Sequence, residues 1–150
     1  MRSTVAAMPA PRGTGASLVI ELQRAAHAVG VRVEAELRDL GVSQGEAHVL
    51  ALLAEGGEHT VGELQRGLRH RPSTLTGILD RLENRAWITR TLNDADRRSL
   101  LVTLTRQGRR AAGRVTAALR RIEEEAIQAA GAAGVRGFGA VARALSGDPG

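Results

Sequence analysis

The fold turns on residues 72–105, PSTLTGILDRLENRAWITRTLNDADRRSLLVTLT. Pro72 suits a first helical turn, where its missing N–H is not needed. Leu75, Ile78, Leu79 and Leu82 then recur at steps of three and four and trace one buried face. Ser73, Thr74, Thr76, Gly77, Asp80, Arg81 and Asn84 are left over, and most of them should face outward. Ile88 to Asn93 reads as a strand and Leu100 to Thr105 as its partner, with Leu100, Val102 and Leu104 on one face. Residues 94–99 join them, so a β-hairpin follows the helix directly.

Working outward toward the N-terminus, Thr60 and Glu63 form a capping box that opens a short helix carrying Val61, Leu64 and Leu68. Residues 69–71 (RHR) connect it tightly to the helix at 72. Ser43 and Glu46 form an earlier capping box, opening a helix whose inner face is Val49, Leu50 and Leu53 and which ends at EGGE, 55–58. Before it, Leu18, Leu22, Ala26, Val29, Val33, Leu37 and Leu40 predict a long first helix ending near Gly41. Residues 1–16, with two prolines, two glycines and no periodicity, read as a disordered tail. The weaker alternative is a groove-reaching arm bearing Arg2 and Arg12. Beyond the hairpin, Thr105 caps a long helix with Ala111, Val115, Leu119, Ile122 and Ala126. AGAAG at 130–134 interrupts it before a last short helix with Val135, Phe138, Val141 and Leu145.

The chain of 150 residues fits one domain with an extension, and its 43% apolar content is enough for a core. No run approaches the ~18 apolar residues of a membrane span, and no apolar leader core opens the chain. A cytoplasmic protein is the expectation. The absence of cysteine excludes disulfides and thiolate metal sites. His27, His48, His59 and His70 do not pair at metal-ligand spacing, so neither metal nor cofactor is expected. Basic residues number 21 against 16 acids, and all 21 are arginine. The basic excess favours a polyanionic partner, and the arginine fork suits phosphate and guanine edges. With Trp87 and Phe138 the only aromatic residues, the composition weighs against a stacking platform for single strands. Duplex DNA is the better partner.

Two helices joined by a tight turn and followed by a hairpin make a winged helix-turn-helix in an α+β, mostly α, chain. The second helix fits a major groove, where Ser73, Thr74, Thr76 and Gly77 are small or polar enough to approach base edges. Its free N–H groups and positive end favour a phosphate, to which Arg71 and Arg81 could add. The hairpin tip, NDADRRS, can reach the adjacent minor groove through Arg97 and Arg98. Asp94 and Asp96 are repelled by DNA and are expected to hold those arginines in place.

The motifs STLTGILDRLENRAWITR at 73–90 and DADRRSLLVTLTRQG at 94–108 resemble the MarR family of bacterial transcription regulators. The second is close to that family's signature of an acid, arginines, a strand and Leu-Thr-x-x-Gly. The resemblance covers about residues 17–146. It implies a winged-helix homodimer, with helices from 17–41 and 105–146 intertwined as a dimerisation domain. A lobe at 43–104 would read a palindromic operator as a repressor, with half-sites ~10 bp apart. It also implies that residues 72–85 are the recognition helix. Arg98 would then be the minor-groove arginine of the wing, Asp96 the acid that positions it, and Arg97 a neighbour. Many such proteins bind a small phenolic or anionic effector in a cleft between dimer helices and DNA-binding lobe; Arg24, His27 and His48 are candidate lining residues. The chain departs from the family pattern at Gly77, where a larger polar residue is common, at Ala86, where glycine is common, and at Arg71, where Asp or Ser would cap.

Other readings weigh against these. Arg97 and Arg98 could form only surface ion pairs with Asp94 and Asp96, worth little. For Arg81, Arg85 and Arg90, a phosphate contact and a solvated surface role stand about even. The stripes of the first and fifth helices could serve a purely intramolecular core. No phosphate loop, nucleophile–base pair or carboxylate pair suggests an enzyme. A winged-helix scaffold that binds protein is the main alternative function. It should present apolar residues on 72–81 and the wing.

Overall fold

A computed structural model describes residues 17–68 and 71–147. The predicted tail at 1–16, with Arg2 and Arg12, and His70 lie outside the described residues.

Helix α1, Leu18–Glu36, runs into a 3-10 turn, Arg38–Leu40, and ends at Gly41, whose φ of 58° is left-handed. The predicted single helix to Gly41 is therefore a helix plus a tighter last turn, a common way to finish. Helix α2 spans Gln44–Gly56 and α3 spans Val61–Leu68. Both capping boxes form. Ser43 N–H donates to Glu46 Oε2 at 2.8 Å while Ser43 Oγ accepts from Glu46 N–H. Thr60 and Glu63 make the same exchange at 2.7 and 3.1 Å. Helix α4, Pro72–Asn84, carries proline in its first turn.

A three-stranded antiparallel sheet follows from β1 (His59–Thr60), β2 (Ile88–Leu92) and β3 (Leu100–Leu104), in the order β1-β3-β2. The hairpin register pairs Ile88 with Leu104 and Leu92 with Leu100. The sequence did not reveal β1. It has two residues, and His59 and Thr60 become a strand only by pairing with Val102 and Leu101.

Helix α5, Arg106–Ser146, opens at Thr105, whose side chain accepts from Gly108 N–H at 3.0 Å. It breaks at Gly131 (φ 66°, ψ 173°), inside the predicted interruption.

The core is the meeting of α2, α4, the sheet and the first part of α5. Val49, Leu50, Leu53, Leu64, Leu75, Leu79, Leu82, Val102 and Val115 are essentially sealed from solvent. The outer helices are different. Val33 and Leu37 are buried, but Leu18, Val29, Ile127, Val135 and Phe138 are exposed. The stripe predicted for α1 thus serves the core only at its C-terminal end. Arg32 pairs with Glu125, Glu36 with Arg121 and Asp39 with Arg114, lacing α1 antiparallel to α5. The Arg114 guanidinium holds the Asp39 carboxyl below its usual range.

Between α4 and β2 the chain turns at Ala86, the one described non-glycine residue with positive φ, 54°. The departure from glycine at this position therefore carries backbone strain. A left-handed L-residue costs ~1–2 kcal/mol, partly offset by glycine's greater unfolded-state freedom. Ala86→Gly should raise stability by about 1 kcal/mol. A denaturation midpoint that stays put or falls would show that the turn is unstrained.

Candidate nucleic-acid interface

The exposed side of α4 is built by exclusion. Leu75, Ile78, Leu79 and Leu82 fill the core, so Ser73, Thr74, Thr76 and Arg81 are left on the surface, with Gly77 half-buried among them. Thr76 Oγ1 donates back to the Pro72 carbonyl at 3.0 Å, which leaves its methyl and a lone pair outward. Arg71 sits at the N-cap with extended backbone and no side-chain capping bond. The first turn of α4 carries no acid. Its N–H groups thus face outward without a carboxylate to neutralise them, an arrangement that accepts a phosphate.

Arg81 is not a free cation. Its Nε donates to Glu46 Oε1 at 2.9 Å, and Glu46 is 4% exposed. Burial works against the charge on Glu46. The Ser43 N–H and the Arg81 guanidinium outweigh it and hold the carboxyl below its usual range. A Cβ at Gly77, one turn earlier, would stand 3.5 Å from Arg81 Nη1, an ordinary van der Waals contact. Because Glu46 is held ionised in the folded state, its contribution is present above the ordinary carboxylate value of about 4.3 and is lost as pH falls below it. Thermal midpoints from pH 6 to pH 3 should therefore fall less steeply for Glu46→Gln than for wild type. Parallel slopes would show that Glu46 gives no such pH-dependent stability.

Two other arginines near α4 are engaged within the fold. Arg90 on β2 reaches back to Asp80, at 2.8 Å, and to Glu83, bracing the hairpin against α4. The Glu83 carboxyl is pulled down by its bond to Arg90, and Arg90 is pushed up by the same bond. Arg85 donates to the carbonyls of Leu40 and Gly41 and stacks on Trp87.

The wing tip is a small hydrogen-bonded frame. Asn93 Oδ1 accepts from Ala95 N–H at 3.0 Å, and Asn93 Nδ2 donates to Ser99 Oγ at 3.0 Å. Asp96 Oδ1 accepts from the Arg98 N–H at 3.1 Å and lies 3.4 Å from Arg98 Nε. Ser99 closes the turn through two bonds to the Asp96 carbonyl. The Arg98 side chain projects from this frame 95% exposed. Of the two acids expected to hold the arginines, Asp96 engages Arg98. Asp94 is exposed, forms no ion pair among the described residues, and leaves Arg97 likewise unpaired. Sequence reasoning missed Asn93 and Ser99, although an Asn at the head of a polar stretch is a recognisable turn signal.

The MarR family model matches residues 42–100, the span from the start of the second helix to the first residue of β3. Over that span the chain is similar to the MarR family. The HTH-type transcriptional repressor MdtR of Bacillus subtilis (strain 168) is 32% identical over 95 residues, 61% of this chain and 61% of that protein. The chain thus spans about three fifths of the length of the curated relatives it matches. The structure of reduced AbfR bound to DNA superposes with a TM-score of 0.62 at 28% identity, over 69% of this chain and 73% of that one. BpsR of Bordetella bronchiseptica, whose DNA binding is regulated by 6-hydroxynicotinic acid, shares the fold with a TM-score of 0.78 at 21% identity, over 93% and 100%.

Arg24 and His27 stand exposed on α1, and His48 is half-buried on α2. A groove of about 490 Å³ opens between the end of α2, the root of the wing and the start of α5. It is lined by Leu53, Glu58, Leu104, Arg109 and Ala112 among others, and by none of those three. Among the described residues no cluster of three or more His, Asp or Glu could hold a metal, and no helix is long and apolar enough to cross a membrane.

Proposed function

We propose that the chain is a sequence-specific, double-stranded-DNA-binding transcription regulator, a repressor that acts as a homodimer on a palindromic operator. One observation carries this reading: the acid-free start of α4, with Ser73 and Thr74 exposed, lies on the same lobe as a wing whose Arg98 is 95% exposed on a rigid frame. Ser73, Thr74, Thr76 and Gly77 take the base edges. Arg71, Arg81 and Arg97 supply phosphate contacts, Arg98 enters the minor groove and Asp96 aims it. Asp94 touches neither arginine. The lobe at 43–104 reads DNA, and the helices of 17–41 and 105–146 dimerise. Support for the dimer comes from the exposed Leu18, Val19, Ile20, Val135 and Phe138, which one chain leaves unpacked. A small phenolic or anionic effector would act by shifting the spacing of the two lobes. On this reading the protein is cytoplasmic, has no enzymatic activity and needs no metal or cofactor.

A protein-binding scaffold is favoured by one feature. Leu92 and Leu100 face each other across the wing and are 60% and 39% exposed. Mass measurement of the free protein and of its complex with a bound duplex decides between them. The regulator reading expects a dimer alone and two chains per duplex. A monomer that binds no duplex at low salt supports the scaffold.

A further inference from the structure

We infer that Arg85 is a positioning residue that fixes the angle of the recognition helix against the dimerisation helices, and so sets which half-site spacing the dimer accepts. This rests on the regulator reading above. Arg85 sits at the end of α4. Its Nη1 donates to the Gly41 carbonyl at 3.1 Å and its Nη2 to the Leu40 carbonyl. Those two carbonyls end the 3-10 turn that extends α1, where helix geometry leaves oxygens without partners and favours a cation. The guanidinium carbon lies 3.7 Å from the centre of the Trp87 ring. The Trp87 carbonyl in turn accepts Thr105 N–H at 2.9 Å, and Thr105 Oγ1 donates to the Ala86 carbonyl at 2.7 Å, where α5 begins. Residues 85–87 therefore join the end of α1, the end of α4 and the start of α5 at one point. The left-handed Ala86 between them is the turn that puts Arg85 over Trp87.

One planar fork satisfying two carbonyls while stacked on a ring tolerates little rotation. Loss of the clamp leaves α4 packed in its lobe but frees the lobe to pivot on α1. On duplex DNA with ~10.5 bp per turn, two extra base pairs rotate one half-site by about 70° against the other. A rigid dimer rejects that site, and a loosely jointed one accepts it.

The test takes the palindrome selected by the wild-type protein and changes its centre by one and two base pairs in each direction. Affinity is read by fluorescence anisotropy at fixed salt. Wild type should lose at least ~10-fold at two base pairs off its optimum, and Arg85→Gln should bind all spacings within ~3-fold. Arg85→Lys keeps the cation over Trp87 but cannot serve both carbonyls. It should fall between, and it carries the test if the glutamine variant does not fold. Leu64→Ala, a core variant on α3 within the lobe, should weaken stability yet keep the wild-type spacing profile. Wild-type profiles in both Arg85 variants would overturn the inference while leaving the regulator reading intact. A wild-type protein that selects no palindrome would overturn the regulator reading, and this inference with it.

Discussion

Gly108→Ala is expected to destabilise the protein by about 3 kcal/mol, although the same change in an ordinary helix interior stabilises by about 1. Gly108 lies in the first turn of α5, where Thr105 caps it. A Cβ at this position would stand 1.8 Å from the Trp87 carbonyl oxygen and 2.7 Å from its carbon. Those atoms are backbone, and the oxygen is already held by Thr105 N–H, while the Thr105 hydroxyl holds the neighbouring Ala86 carbonyl. They can retreat only by pulling β2 off the start of α5. Gly113 in the same helix has open space around it, with nothing within 4 Å of where a Cβ would stand. Gly113→Ala should therefore be neutral or gain up to ~1 kcal/mol. Urea titrations of the two variants make the comparison. Equal midpoints would show that the junction at Trp87 is soft.

Arg98→Ala should weaken operator binding by ~1–3 kcal/mol, a loss of about 5- to 150-fold, with no measurable change in thermal midpoint. The side chain is 95% exposed, and its contact with Asp96 is a surface pair that contributes little to folding. Its value lies in pre-organisation. The Asp96 carboxylate accepts the Arg98 N–H, the Asp96 carbonyl accepts from Ser99, and Ser99 accepts from Asn93, so the arginine leaves from a fixed backbone. Asp96→Ala should therefore weaken binding as well, by less than Arg98→Ala. Asp94→Ala should not weaken it, because Asp94 holds neither arginine and its loss removes a negative charge from the wing. Equal losses from both aspartates would mean that charge alone, not the frame, governs the wing.

Local signals carried most of the fold. The apolar steps of α2 and α4, the Ser43–Glu46 and Thr60–Glu63 boxes and the alternation of β3 each reflect neighbours three or four residues apart or on one strand. These were legible. What stayed hidden depends on partners far along the chain. Strand β1 exists only through Val102 and Leu101. Arg85 finds carbonyls more than forty residues before it, and Arg81 finds Glu46. A phosphate role and a solvated role stood level for these arginines because charge says nothing of a distant acceptor. The Leu-Thr-x-x-Gly spacing was visible, but its reason, the close approach to Trp87, was not. Likewise two acids in NDADRRS look equivalent until the turn selects Asp96.

Operator recognition is tested most directly by selection of random duplex DNA with the purified protein at physiological salt, followed by sequencing. The expected result is a palindrome with half-sites about one turn, ~10 bp, apart. Recovery of no motif, with weak binding that disappears at moderate salt, would contradict it and reduce the arginines to nonspecific attraction.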